Sequence, residues 1–174
     1  MAEFMDIVDD NDKIAGKTTQ KEIYDKKLTH RIVHVFIVDP RNNKVYLQKR
    51  SEKKDFLPGY YCTSAGGHVK SNESYEQAAK RELEEELGIN TDLIEVTKLE
   101  FVSDNHKRLI RLFLGYTNGQ TIMFKDGEVA SGEFIDLDSA YNLVNNYDKI
   151  HPQLKLCLDW LYLNKEIINA NFKK

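Results

Sequence analysis

Between Gly66 and Ile89 a loop runs into a short helix whose last two turns are crowded with acid, and no other stretch restricts the fold as much. The paired glycines Gly66-Gly67 supply a backbone free to take positive φ or to approach a neighbour closely. Ser71 and Asn72 are helix-start residues, and Glu73 places negative charge in a first turn, where the helix dipole favours it. Gly88 follows as a C-terminal cap would, so the pattern predicts a helix over residues 73–87. Glu82, Glu85 and Glu86 then fall at i, i+3 and i+4, which puts their carboxylates on one face, and Glu84 adds a fourth acid. Like charges at these spacings cost roughly 0.2–0.5 kcal/mol per pair. Acids near a helix C-terminus oppose the dipole by a further ~0.3–1 kcal/mol each. Local stability therefore argues against the arrangement, whereas a hard cation with a preference for oxygen ligands would turn the repulsion into attraction. Tyr75, Ala78 and Ala79 share the acidic face, and the two small side chains would let a loop or a substrate come close. A solvated acidic surface is the plain alternative for any run of charge.

The surrounding chain reads as a sheet with helices. Residues 30–39 (HRIVHVFIVD) are apolar and β-branched, 40–43 form a turn, and 44–49 (KVYLQK) alternate back as a hairpin partner. Residues 93–102 and 108–116 suggest a second antiparallel pair joined across 103–107, and 127–137 contain a further short strand. Helices are predicted near 138–146 and 151–169, with a short strand at 7–9 and a helix near 19–27 before the core. Such a mixture implies an α/β protein, a three-layer α/β/α sandwich around a mixed β-sheet. At 174 residues the expectation is one domain, 1–174, with 1–27 as an N-terminal extension packing on it. The apolar residues at 154, 157, 158, 161 and 168 make a helical stripe that faces the core, with a homodimer interface as the alternative use. A net charge of −3 gives no pull toward nucleic acid or an anionic membrane, and no apolar run is long enough to span a bilayer. Two cysteines, Cys62 and Cys157, and an N-terminus without a signal-peptide pattern point to the cytoplasm.

Taken together, Gly67, Glu73, Arg81-Glu82, Glu85-Glu86 and Gly88, with Leu83 and Ile89 at the aliphatic positions, reproduce one spaced signature. In it the chain resembles the Nudix hydrolases, with the Nudix box at 67–89, and the likeness extends over most of its length. That resemblance implies Mg²⁺, with Mn²⁺ as a substitute, and a phosphoanhydride bond in a small-molecule nucleotide or diphosphate as the target. Glu85 and Glu86 would be metal ligands, helped by the main-chain carbonyl of Gly66 or Gly67. Glu82 would be a further ligand or the base that deprotonates water, Glu73 and Arg81 would hold the loop–helix geometry, and Arg81 would orient Glu82. Glu128 is the candidate for an additional base or ligand from a later loop, with Glu133 second.

A narrower likeness, to the isopentenyl-diphosphate isomerase branch, rests on 28–30, Gln48-Lys49-Arg50-Ser51, 57–61 and Gly67-His68. It raises isomerisation as an alternative, with a histidine cage matched in part by His30 and His68. Those enzymes place a cysteine where this chain has Gly66, and carboxylates where it reads KRLIRLF at 107–113. Cys62 reads as a small buried side chain. A nucleotide-binding regulatory module is a third reading, although such modules usually lose box carboxylates. Among the weaker candidates, Lys49, Arg50, Lys53 and Lys54 would grip a phosphate or be solvated, and Tyr60 or Tyr61 would stack on a base or pack beneath Pro58-Gly59. His34 reads as a satisfied core residue, and His106 and His151 carry no spacing signal.

Overall fold

A computed structural model of the chain describes residues 3–117, 119–125 and 127–170; the extremes of the predicted 1–174 span, and Asp126 before Glu128, lie outside the described residues. In chain order the elements are strands β1 (Phe4–Val8) and β2 (Ile14–Thr19), helix α1 (Gln20–Lys26), strands β3 (His30–Asp39), β4 (Lys44–Arg50), β5 (Tyr61–Cys62) and β6 (Ala65–His68), and helix α2 (Tyr75–Leu87). There follow strands β7 (Leu93–Ser103), β8 (His106–Tyr116) and β9 (Val129–Asp136), and helices α3 (Leu137–Asn146), α4 (Pro152–Leu163) and α5 (Glu166–Ala170).

Strand β3 is the axis of the mixed sheet. Its near-continuous apolar sequence fits a strand covered on both faces. One edge of β3 runs parallel to β8 along nine residue pairs, from His30↔Arg108 to Val38↔Tyr116. The other edge is shared by β1 at Ile7↔His30, by β6 from Ile32↔His68 to Val35↔Ala65, and by β4 at Val38 and Asp39. The predicted β3–β4 hairpin is therefore paired only beside its turn. Farther on the strands diverge: β4 takes β9 on one edge and β5 beside Gln48 and Lys49. A V opens between β3 and β4, and its arms carry Gln48, Cys62, Gly66 and Gly67 to the rim of one cleft.

Alternation along β3 sends Val33, Val35 and Ile37 to one face and Ile32, Phe36 and Val38 to the other. The first set packs with Ala78, Ala79, Leu83 and Leu87 of α2, and the second with Leu154, Cys157, Leu158 and Leu161 of α4 and with α3. These are the three layers expected. Full burial of each such Leu is worth roughly 1.5–3 kcal/mol, so both faces hold the sheet firmly. Ala78 and Ala79 serve the sheet rather than a loop or a substrate, because their small side chains let α2 lie close on β3.

Several predicted bounds shift for local reasons. The helix expected over 151–169 divides at Asn164 into α4 and α5. Its whole apolar stripe, Ile168 included, is buried in the chain's own core, so that stripe is not left for a second copy. Residues 103–107 shrink to a tight turn, with Asp104 and Asn105 both at positive φ, which lets β7 and β8 run on to Ser103↔His106. The N-terminal segment holds a hairpin, β1–β2, where one short strand is predicted.

Candidate active site

Helix α2 starts at a capping box two residues later than the sequence signals suggest. Ser74 Oγ accepts from the Gln77 N–H at 3.2 Å and Gln77 Oε1 accepts from the Ser74 N–H at 2.8 Å. Ser71 and Asn72 lie outside the helix, and Glu73 answers the loop instead of the dipole, its Oε2 accepting from the Lys70 N–H at 3.0 Å. Gly88, at φ 65°, closes the helix with its N–H on the Glu84 carbonyl. Gly66 and Gly67 sit in β6 opposite His34 and Val33. Their reason is close approach: a methyl on Gly67 would stand 2.2 Å from Glu82 Oε1, and one on Gly66 would stand 2.7 Å from His34 Nδ1.

Arg81 is the hub of the acidic turns. Its Nε and Nη2 donate to the two Glu73 oxygens at 2.8 and 2.9 Å, and Nη2 also reaches the His68 carbonyl at 3.0 Å. Nη1 donates to Glu82 Oε1 at 2.7 Å and to Glu85 Oε2 at 3.1 Å, so one cationic group stands between two box carboxylates. Glu86 is buried on the sheet side, where Gln48 Nε2 donates to its Oε2 at 2.5 Å. The Gln48 carbonyl oxygen is itself buried with no hydrogen-bond partner among the described residues. Glu84 faces elsewhere and pairs with Lys125.

Burial is the chief cause that raises the Glu82 carboxyl above the ordinary carboxylate range; Arg81 opposes it, and Glu85 and Glu128 add to it. Glu128, brought in by the Arg50↔Val129 pairing, is thus close enough to act on Glu82, and it also pairs with Lys54. For Arg81, burial works to lower its basicity, but Glu73 and Glu82 outweigh it and drive the guanidinium further up. The donors fit a hard divalent ion: carboxylate oxygens, an unpartnered amide oxygen, and a glycine packed on Glu82. Among the described residues no three acidic, histidine or cysteine side chains already converge as a closed cage. Glu82 and Glu85 are turned toward Arg81, and Glu86 toward Gln48.

Apart from Glu73, Glu84 and Lys125, these groups line one cleft of about 1140 Å³. Arg50, Lys53 and Lys54 line it as well, whereas Lys49, Glu133, Tyr60 and Tyr61 do not. Glu133 is exposed on β9, and Tyr61 packs against the core cluster and Tyr147. His34 is buried and satisfied, its Nδ1 2.8 Å from Thr63 Oγ1 and its Nε2 2.8 Å from Gln153 Oε1. Burial pushes the Cys62 thiol up to about 12, the state of an inert thiol. Sequence reasoning missed four contributors: Gln48 as the partner of Glu86, Tyr24 of α1, and His106 and Arg108 at the start of β8. His30, His68 and His106 gather with ring centroids 4.9–5.2 Å apart for His30 with each of the others, although 38 or more residues separate any two in sequence. Nothing local marks such a cluster; the β3–β6 register, which sets His68 beside Ile32, and the β3–β8 register, which sets His30 beside Arg108, assemble it.

Comparison with known proteins bears on the same region. The NUDIX domain family matches residues 28–160. Among curated relatives, an uncharacterized Nudix hydrolase of Nostoc is 37% identical over 102 residues, covering 58% of this chain and 60% of its own length. The uncharacterized Nudix hydrolase YfcD of Escherichia coli K12 is 37% identical over 87 residues, covering 50% of this chain and 48% of its own. The chain thus spans about half to three fifths of the curated relatives it matches. Among solved structures, DR0079 of Deinococcus radiodurans superposes with a TM-score of 0.78 at 20% identity, over 92% of this chain and 99% of that one. The Escherichia coli dihydroneopterin triphosphate pyrophosphohydrolase does so at 0.60 and 18%, over 77% and 95%. At these identities the superpositions show a shared fold.

Proposed function

Because the chain belongs to the NUDIX domain family, we propose that it hydrolyses a phosphoanhydride bond in a nucleoside diphosphate, free or linked to another group, with Mg²⁺ or in its place Mn²⁺. The observation that carries this reading is the convergence of Glu82, Glu85, Glu86, Gly66 and Gly67 on one cleft, with the buried Gln48 amide oxygen left unpartnered among the described residues. Glu85 and Glu86, with the carbonyl of Gly66 or Gly67, would hold the ion. A bound divalent ion neutralises the diphosphate and lowers the pKa of water. Glu82, kept basic by burial, accepts a proton from water or serves as a further ligand; Glu128 is the second acid that can do either. Arg81 positions Glu82 and does not touch the reacting atoms. Arg50 and Lys53 lie where they can meet phosphate oxygens in the cleft. The described residues contain no helix long and apolar enough to cross a membrane.

The test is a phosphate-release screen with Mg²⁺ over nucleotide sugars, dinucleotides and nucleoside di- and triphosphates, run beside Glu86→Gln. Wild-type turnover on at least one of these is expected, with a loss of roughly 100-fold or more in the variant at an unchanged melting temperature; equal turnover would overturn the assignment. The isomerase alternative draws on the His30–His68–His106 cluster. It would need a protein group that gives a proton to, or takes one from, a substrate carbon near the diphosphate, and Cys62, with its thiol pushed up by burial, is poorly suited to that task. Exchange of substrate carbon-bound protons with deuterated water separates the two.

A further inference from the structure

The family match begins at residue 28, but the cleft does not: Met5, Gln20, Tyr24 and Lys27 line it from the N-terminal side. This wall is fastened in several places. Ile23 of α1 is fully buried, the Ser71 N–H donates to the Phe4 carbonyl at 2.8 Å, and the Lys27 ammonium donates to the Asp104 carbonyl at 2.6 Å. Asp12, at the β1–β2 turn, takes Arg31 Nε at 2.6 Å, the Tyr75 hydroxyl at 3.1 Å and Arg111 Nη2 at 2.8 Å.

Tyr24 is 42% exposed, high for an aromatic ring with so many polar neighbours. Its hydroxyl lies 2.9 Å from His68 Nε2, and its ring stands edge-on to His68 at 5.8 Å and to His106 at 5.3 Å. The Arg108 guanidinium carbon is 5.8 Å from the Tyr24 ring centre and 5.7 Å from that of Phe101. Rings and a stacked guanidinium thus line one end of the cleft while the box carboxylates line another part. The cleft exceeds the ~300–1,000 Å³ that usually suffices for one small ligand, so a diphosphate leaves much of it unfilled.

We propose that this end, with Tyr24 and Arg108 at its centre, binds a planar heteroaromatic ring, the base of a nucleotide whose diphosphate lies against the box. The inference rests on the diphosphate reading of that box. Aromatic side chains and a guanidinium plane offer flat faces and ring edges, the surfaces on which a heteroaromatic ring stacks. A second phosphate is the competing occupant, since Lys27 and Arg108 are cations. Its usual partner, an open guanidinium fork, is largely taken. Arg108 Nη1 already donates to Ser103 Oγ and the His106 carbonyl, and Nη2 lies 3.2 Å from His106 Nδ1. Lys27, whose ammonium keeps N–H groups beyond the one on the Asp104 carbonyl, remains as a donor for the ring edge, which favours a base carrying acceptors there.

Calorimetric titration tests the subsite with UDP, inorganic pyrophosphate and inorganic triphosphate as probes, each with Ca²⁺ as the hard cation. Wild type should bind UDP at least tenfold more tightly than pyrophosphate. Tyr24→Ala should weaken UDP about tenfold and leave pyrophosphate within twofold, while Tyr24→Phe, which keeps the ring, should retain most of the UDP affinity. The subsite is refuted on its own if pyrophosphate binds and UDP gains nothing over it, or if Tyr24→Ala alters both ligands alike or neither. Triphosphate matching UDP in wild type would make this end a phosphate site and likewise overturn the proposal. Binding of no probe at all by folded wild type would instead refute the diphosphate reading, and the subsite with it.

Discussion

Removing the Arg81 guanidinium is the sharpest perturbation this architecture offers. An arginine carries five N–H groups, and here all five are spoken for: two on Glu73, one on Glu82, one on Glu85 and one on the His68 carbonyl. The side chains of Arg81, Glu73 and Glu82 are 19%, 15% and 13% exposed, so these pairs are largely out of water. Taking away one partner of such a pair leaves an uncompensated buried charge and costs about 3–5 kcal/mol. The Glu85 link adds little, since that acid is about half exposed. Arg81→Met should therefore lose about 3–5 kcal/mol, a large part of the roughly 5–15 kcal/mol that holds a typical domain folded. At ~2–4 °C per kcal/mol for a chain of this size, the melting temperature should fall by roughly 6–20 °C. Urea unfolding at pH 7.5 without added metal measures the loss directly. Glu73→Gln in both backgrounds then closes a double-mutant cycle, in which the two substitutions should be strongly non-additive. A loss below about 1 kcal/mol, with additive effects at Glu73, would refute the account of Arg81 as the clamp between the loop and α2.

Gly67→Ala should spare the fold and harm the chemistry: the added methyl would stand 2.2 Å from Glu82 Oε1, at the movable end of that side chain, so the carboxylate yields. A displacement of about 1 Å can cost ~100-fold in rate; Mg²⁺-dependent turnover should fall at least tenfold with a nearly unchanged melt, and unimpaired turnover would disprove the contact's importance. His34, lowered to about 4 by burial despite the Gln153 hydrogen bond, is neutral in the native state while the unfolded chain titrates near the ordinary 6.5. Its contribution to stability is present above pH 6.5 and is lost as pH falls toward 4, because only the unfolded chain takes up the proton there. Between pH 6.5 and 4.5 this amounts to about 2–3 kcal/mol. His34→Gln should show a correspondingly shallower decline in urea-melt stability over that range, and parallel declines would exclude it.

The parts of this fold written in periodic patterns were legible in advance. HRIVHVFIVD forms a strand over the very residues expected, since six apolar or β-branched positions among ten leave little else to do when both faces are covered. The acids were legible for the opposite reason: Glu82, Glu85 and Glu86 contradict local helix energetics, and such a contradiction calls for a compensating charge, found here in Arg81. Strands β5 and β6 were not legible, because two and four residues such as AGGH carry no period and are strands only by virtue of the V between β3 and β4. Gln48 lay inside a correctly predicted strand, yet its pairing with Glu86 spans 38 residues and depends on the packing of α2. Two local signals were available and unused: Ser74 with Gln77 as a capping box, and Asp104-Asn105 as a tight turn.

On the proposed reading, hydrolysis and selection sit on differently anchored parts of the sheet. Helix α2 cannot shift without tearing Ala78, Ala79, Leu83 and Leu87 from β3, so its acids are fixed relative to Gly67 and to the loop that Arg81 binds. Helix α1 is held by Ile23, by its cap and by the Asp12 clamp, and none of these anchors involves the face that Tyr24 turns to the cleft. A substitution at Tyr24 therefore removes little that holds the fold, whereas one at Arg81 unsettles two acids at once. Base preference can then change through residues before position 28 while the box stays intact. Part of the wall that chooses the ring, Tyr24 and Lys27, lies outside the segment by which the family is recognised, so a chain can display the hydrolytic signature complete and still leave its substrate unread.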